Sequence, residues 1–164
     1  MRLPPKIPNS KLWKDVIINE YKFNYITKFD QIPSDGIWTT SCSKTKNSLK
    51  KGIPKNFYQG RYNNLFYKFA EKYDLKYGVI SDKYGIHMYN EKLEFYDIHP
   101  NELTYKNKRE LGIKIRKKIK KYGFKKLIFY YPSPLLSHPY FEMLWYSKIP
   151  IYYISRIGLI DIKE

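Results

Sequence analysis

Four short runs rich in β-branched and aromatic residues, separated by helix-length segments, constrain this chain more than any other feature. They read "IWTTSCS" from Ile37, "LKYGVIS" up to Ser81, "KKLIFYY" through Tyr131 and "IPIYYIS" from Ile149. Each is apolar over most of its length, which is expected of strands covered on both faces. Between them lie "NNLFYKFAEKY", "HPNELTYKNKRELGIKIRKKIKKYG" and "PYFEMLWYSK". The first is predicted to be a helix capped by Asn63 or Asn64, with Leu65, Phe66, Phe69 and Ala70 on one apolar face. The second is predicted to open at Pro100 or Asn101 and close at Gly123, with Leu111, Ile115, Ile119 and Tyr122 as its buried stripe. Crossovers of this length suit parallel strands. The expected fold is therefore a single α/β domain over 1–164, three-layered and Rossmann-like, with a mainly parallel sheet of about four strands. Residues 1–9, with three prolines, read as an irregular N-terminal arm. Ser10 is expected to cap a short helix through "KLWKDVIINEYKF" that uses Leu12, Val16 and Ile17.

The order of elements turns a linear reading into a spatial one. Open parallel sheets bind ligands beyond the carboxyl ends of their strands. The first strand delivers Ser41, Cys42, Ser43, Lys44 and Lys46 to that rim. The second delivers Ser81, Asp82, Lys83, Tyr84 and Gly85. The third delivers Tyr131, Ser133 and, further on, His138. Cys42, the only cysteine, is either a nucleophile among lysines or a small buried apolar residue at a strand end. Lys44 and Lys46 suit phosphate or amine chemistry, and otherwise are solvated loop charges. Asp82 and Asp97 are the candidate acid/base groups, although Asp97 also suits a helix cap. Tyr84 offers a hydrogen bond or a stacking face, and Gly85 suits a turn with positive φ.

Charge narrows the partners. The net charge is +16, from 31 Lys/Arg against 15 Asp/Glu. Such a field attracts nucleic acid or other anions. Lysine supplies most of it; the arginines are Arg2, Arg61, Arg109, Arg116 and Arg156. That balance favours backbone attraction over base reading. Lys50, Lys51, Lys55 and Arg61 form one expected phosphate-facing rim, and Lys114, Lys117, Lys118 and Lys121 another along the long helix. The 18 tyrosines are core residues with polar handles, platforms for bases, or a compositional bias. A single cysteine excludes an internal disulfide and a cysteine-built zinc site. The spacing of His87, His99 and His138 matches no metal signature, and neither G-x-G-x-x-G nor a Walker motif follows the first strand, so no metal and no cofactor is expected. No run of membrane-spanning or signal-peptide length is present, which points to a cytoplasmic protein.

The segments S-C-S-K-x-K, I-P-x-x-F-Y-x-G, I-S-D-K-Y-G-I and F-Y-D, within Ile37 to Asp97, resemble a little-characterised family with G-C-S-x-x-K and I-L-S-A-K-[HY]-G-L motifs. That family is distantly similar to the YaaA peroxide-stress family, thought to contact DNA, and to a C-terminal module of archaeosine synthase. The resemblance implies functional positions at Cys42, Lys46, Tyr58, Gly60, Ser81, Lys83, Tyr84, Gly85, Tyr96 and Asp97. Asp82 departs from it, standing where a small alanine is usual.

Together these readings lead to an expected nucleic-acid-associated enzyme acting on a nucleobase or nucleoside, by base modification or N-glycosidic cleavage. Its catalytic candidates are Cys42, Lys46, Asp82 and Asp97. The substrate would meet Ser41, Ser43, Lys44, Tyr58, Ser81 and Lys83, then Tyr84, Gly85, Tyr96, Ser133 and His138. The alternative is a non-catalytic DNA- or RNA-binding protein, stress-related, that uses the lysine face of the long helix.

Overall fold

The computed structural model describes residues 2–43 and 50–161. In chain order the strands are β1 Asn24–Tyr25, β2 Gly36–Ser41, β3 Lys51–Gly52, β4 Tyr77–Ser81, β5 Gly85–Met88, β6 Leu93–Glu94, β7 Lys126–Tyr130 and β8 Ile151–Ile154. The helices are α1 Trp13–Asp15, α2 Pro54–Phe57, α3 Arg61–Lys72, α4 Tyr105–Lys121 and α5 Pro139–Ser147. One six-stranded sheet has the order β1-β8-β7-β2-β4-β5, and a two-stranded ribbon pairs β3 with β6. All neighbours in the large sheet are parallel except β4 and β5.

The expected α/β class and mostly parallel sheet are present, but four strands become six. The four predicted strands are the middle of the sheet. Both additions are edges. β1 pairs only two residues with β8, too short for its pattern to register. β5 folds back from β4 as a hairpin, pairing Ser81 with Gly85 and Gly78 with Met88. Its "GIHM" is wholly buried, so it shows no period-two alternation. Gly85 makes the reversal possible: its φ is +76°, and a Cβ would lie 2.9 Å from the Leu111 carbonyl oxygen of α4.

Alternation along β7 sets the layers. Tyr130 stacks against Phe66 of α3 on one face, while its neighbour Phe129 meets Phe141 of α5 on the other. Trp38 of β2 likewise meets Phe69 of α3. Tyr153 of β8 contacts Phe141 and Trp13. Helices thus cover both faces. The buried threonines of β2 need partners in such a centre. Thr39 and Thr40 donate to the carbonyls of Ile128 and Tyr130, at 2.9 and 3.0 Å.

Several helix details differ from expectation. The capping position before α3 is Gly60, not an asparagine, and the Asn63 side chain instead accepts from the Gly60 amide at 3.2 Å. Leu65 is exposed, whereas Phe66, Phe69 and Ala70 are buried. The long helix breaks after a single turn at Pro100–Glu102 and restarts at Thr104, which accepts from the Asn107 amide while Asn107 accepts from the Thr104 amide. Leu111, Ile115 and Ile119 form the stripe, but Tyr122 lies outside it. After α1 the chain widens into a π turn, Val16–Glu20, that buries Ile17 and leaves Leu12 exposed. The 2–9 stretch has no regular structure, as predicted. Nine of the 18 tyrosines are buried, and aromatic edge contacts run through both layers.

Candidate functional site

From β2 the chain crosses by α3 to β4 on one side, then returns by α4 to β7 on the other side of β2. α3 and α5 therefore leave neighbouring strands toward opposite faces. This reversal opens a crevice beyond the carboxyl ends of β2 and β7, the place where such sheets bind ligands. A cavity of about 320 Å³ lies there, lined by Thr40–Ser43 at the end of β2, Gly60–Asn63 at the start of α3, His99–Asn101, Tyr131 after β7, and Leu136, Ser137 and Tyr140 around the start of α5.

Cys42 stands on its wall, 4% exposed, with its amide bound to the Ile80 carbonyl at 2.8 Å. Its thiol donates to Asp82 Oδ2 at 3.3 Å and lies 3.4 Å from the Tyr140 hydroxyl. Because β2 and β4 are parallel and adjacent, both loops exit on one rim, as the reading of the sequence required. Asp82 is 3% exposed and does not line the cavity; it sits behind the thiol. Tyr140 keeps its proton: burial first, then the charges at Cys42 and Asp82, push its ionisation far above the ordinary tyrosine range. Asn63 completes the wall, its amide donating to the Ser41 carbonyl at 2.7 Å. Ser43 packs on Gly60, and Arg61 stands in the first turn of α3, its guanidinium over the Tyr62 ring. A helix N-terminus and a guanidinium thus meet at the mouth, the usual pairing for an anionic group.

Other predicted site residues lie elsewhere. Tyr58, Ser81 and Tyr96 are buried in a polar chain rather than exposed to a ligand. The amides of Lys83 and Tyr84 donate to Ser81 Oγ, which donates to the Tyr96 hydroxyl at 2.7 Å. Tyr96 and Tyr58 are 3.1 Å apart, and Tyr58 reaches His87 Nδ1 at 3.1 Å. His87 Nε2 lies 2.7 Å from the Glu91 carbonyl. A carbonyl only accepts, so Nε2 carries the proton and Nδ1 accepts from Tyr58. Every hydrogen bond then points one way, from the β4–β5 turn to Glu91. Burial lowers the His87 pKa, which keeps the ring neutral.

Tyr84 is likewise structural, donating to the Glu94 carbonyl at 2.8 Å, with the Lys83 ammonium over its ring. Ser133 closes a local turn by accepting from the Leu135 amide. Asp97 is exposed and outside the cavity, because its neighbour Tyr96 takes the inward position. His138 caps α5 and faces a separate shallow depression beside Lys108 and Glu142; the histidine on the cavity is His99. Lys44 and Lys46 lie outside the described residues.

Of the expected phosphate contacts, Lys50, Lys51, Lys55 and Arg61 are exposed, with Lys55 paired to Glu71. Lys114, Lys117 and Lys121 are exposed on α4. Lys118 turns inward instead, binding the Ile86 carbonyl at 2.8 Å and both Glu91 oxygens at 3.0 and 3.2 Å. No cluster of metal-binding side chains occurs among the described residues. No helix among them is long and apolar enough to cross a membrane.

Tyr140, Tyr62 and Ser137 are absent from the residues the sequence singles out, and Asn63 and Asn101 figure there only as helix starts. Tyr140 was findable: it opens the helix after the third strand, the strand next to the cysteine loop. Comparison with family models, curated proteins and solved structures finds no match.

Proposed function

We propose that this protein is a nucleic-acid-associated enzyme acting on a nucleobase or nucleoside in the cavity beyond β2 and β7. The observation that carries the reading is the Cys42–Asp82 contact on the wall of that cavity. Among the described catalytic candidates, Cys42 alone lines it. The nucleophile is therefore Cys42, and Asp82 behind it takes the thiol proton as sulfur adds to an electrophilic carbon of the base or sugar. In N-glycosidic cleavage the C1′–N bond breaks as the carbon–sulfur bond forms, and the departing nitrogen takes its proton from a water in the cavity. The hydroxide left then displaces sulfur from C1′, and Asp82 returns its proton to the thiolate. Tyr140, held protonated, steadies the charge on sulfur. Tyr62 and Tyr131 offer flat walls to a base, and the start of α3 with Arg61 suits a phosphate. Ser137 Oγ is buried without a hydrogen-bond partner among the described residues, a group that a ligand would satisfy. The cavity matches the smaller end of small-molecule sites, roughly 300 Å³ and upward.

The alternative, a non-catalytic DNA- or RNA-binding protein, draws support from the exposed lysines of α4 and the net charge of +16. Mass spectrometry separates the two. Wild-type protein and Cys42→Ser are incubated with nucleosides and with short single strands of DNA and RNA. The enzyme reading expects released base or a changed mass with wild type only, while both proteins bind equally. Binding without any product across the set supports the alternative; no binding at low salt ends both.

A further inference from the structure

A second cavity, larger than the one that holds Cys42, lies elsewhere among the described residues. A groove of about 860 Å³ lies where β1 and β8 begin, at the rim opposite the cysteine, and runs between α4 and α5 under the N-terminal arm. Five cations line it: Arg2, Lys22, Arg109, Arg116 and Lys148. Three of the chain's five arginines are thus gathered in one place. No carboxylate lines the groove among the described residues. The charge of Glu142 reaches Tyr21 and Tyr146 nearby, but Glu142 is held by Lys108 at 3.0 Å.

Between the cations the walls are aromatic and aliphatic: Tyr21, Phe23, Trp145 and Tyr146, then Ile113 and Ile149. Several parts are fixed in place. The Arg2 guanidinium lies 5.4 Å over the Trp145 ring, and its carbonyl accepts from the Tyr146 hydroxyl at 3.2 Å. Tyr21 holds the arm by donating to the Pro5 carbonyl at 2.8 Å. Arg116, also on the groove wall, is held by donating to the Ser147 carbonyl at 3.2 Å. Lys22 and Lys148 both have positive φ, 61° and 54°. Left-handed backbone at each helix end turns both lysines into the same groove.

We infer that this groove binds single-stranded nucleic acid, its phosphates on the arginines and lysines and a base against Trp145, the half-buried aromatic of the wall. The spacing of the cations favours a polymer over a mononucleotide. Arg109 and Arg116 are two helical turns apart on α4, about 10 Å along the axis, too far for one phosphate to join them. Arg2, Lys22 and Lys148 come from three further segments. The aromatic walls favour a strand with open base faces over a duplex, whose bases are stacked on one another. The inference does not depend on the reaction at Cys42, because the groove shares no lining residue with that cavity.

Fluorescence anisotropy with a labelled oligothymidylate of about ten nucleotides tests it. The triple variant Lys22→Ala, Arg109→Ala, Lys148→Gly removes three groove charges, glycine being compatible with the backbone at position 148. Lys114→Ala, Lys117→Ala, Lys121→Ala removes the same charge from the exposed face of α4. The groove triple is expected to weaken binding at least tenfold and to lower the salt slope by about 2. The α4 triple should change affinity less than about twofold, since its lysines add only a distant field. Binding should also quench tryptophan fluorescence, and Trp145→Phe should remove most of that change. Equal losses from the two triples, no loss from either, or equal affinity for a duplex or an acidic peptide of the same charge would overturn the assignment.

Discussion

The Cys42 thiol lies 3.3 Å from the Asp82 carboxylate across 40 positions of sequence. The contact follows from two parallel neighbours, β2 and β4, ending at the same level, with Ser41 opposite Ile80. It sets the first expectation. Cys42→Ser preserves a donor to Asp82 and a partner for Tyr140, so its stability should stay within about 1 kcal/mol of wild type. Cys42→Ala leaves both partners short of a hydrogen bond and should cost about 1–3 kcal/mol. Urea unfolding measures both. If the two variants are equally stable, the polar contacts of the thiol contribute nothing.

The hydrogen-bond chain from Ser81 to His87 makes stability depend on pH. Burial holds the His87 pKa below its unfolded value of about 6.5. Below that pH the unfolded chain gains a proton that the folded chain refuses. Stability is therefore complete above about pH 6.5 and falls with acid, until the folded ring also titrates. The slope is at most about 1.4 kcal/mol per pH unit. In His87→Gln this part of the acid loss should vanish, read from melting temperatures between about pH 7 and 5. An unchanged slope would mean that His87 titrates in the fold as it does in the unfolded chain.

Two neighbouring lysines on α4 should behave oppositely. Lys117 is exposed, and Lys117→Ala should shift stability by less than about 0.5 kcal/mol. Lys118 binds the Ile86 carbonyl and Glu91 while only 23% of its side chain is exposed. Lys118→Met, which keeps the stem, should cost about 1–3 kcal/mol. Glu91 also accepts from the Met88 amide at 2.8 Å, so amide exchange across β5 should quicken in the same variant.

Gly112 sets the distance between α4 and α5. A Cβ there would lie 2.5 Å from the Met143 carbonyl oxygen and 2.9 Å from the Ser147 amide nitrogen, both backbone atoms. Gly112→Ala should cost about 3 kcal/mol, at the upper end for overpacking, despite the better helix propensity of alanine. A variant as stable as wild type would show that the helices separate freely.

What was legible in the sequence was whatever rests on a run of like residues. β2, β4, β7 and β8 are continuous apolar strands, and α4 carries its stripe at helical spacing. The same strand order placed the Cys42 and Asp82 loops on one rim. Two-residue β1 and fully buried β5 carry no period to detect. Tyr58, Ser81 and Tyr96 were assigned to substrate because hydroxyls are ambiguous: a sequence does not say whether such a group meets a ligand or another hydroxyl. Lys118 was placed on a solvent face by its position on the helix wheel, and only the hairpin folding back beneath α4 supplies its partner. Arg109 and Arg116 were seen as scarce, but their convergence with Arg2 needs the arm to cross α5.

α5 has nine residues. Tyr140, in its first turn, touches the Cys42 thiol, and Trp145, in its last, lies under Arg2. A Cβ at Gly112 of α4 would strike the backbone of this short rod, so both aromatic residues sit on one closely packed piece. A ligand in the groove and a ligand at the cysteine would therefore meet opposite ends of one nine-residue helix.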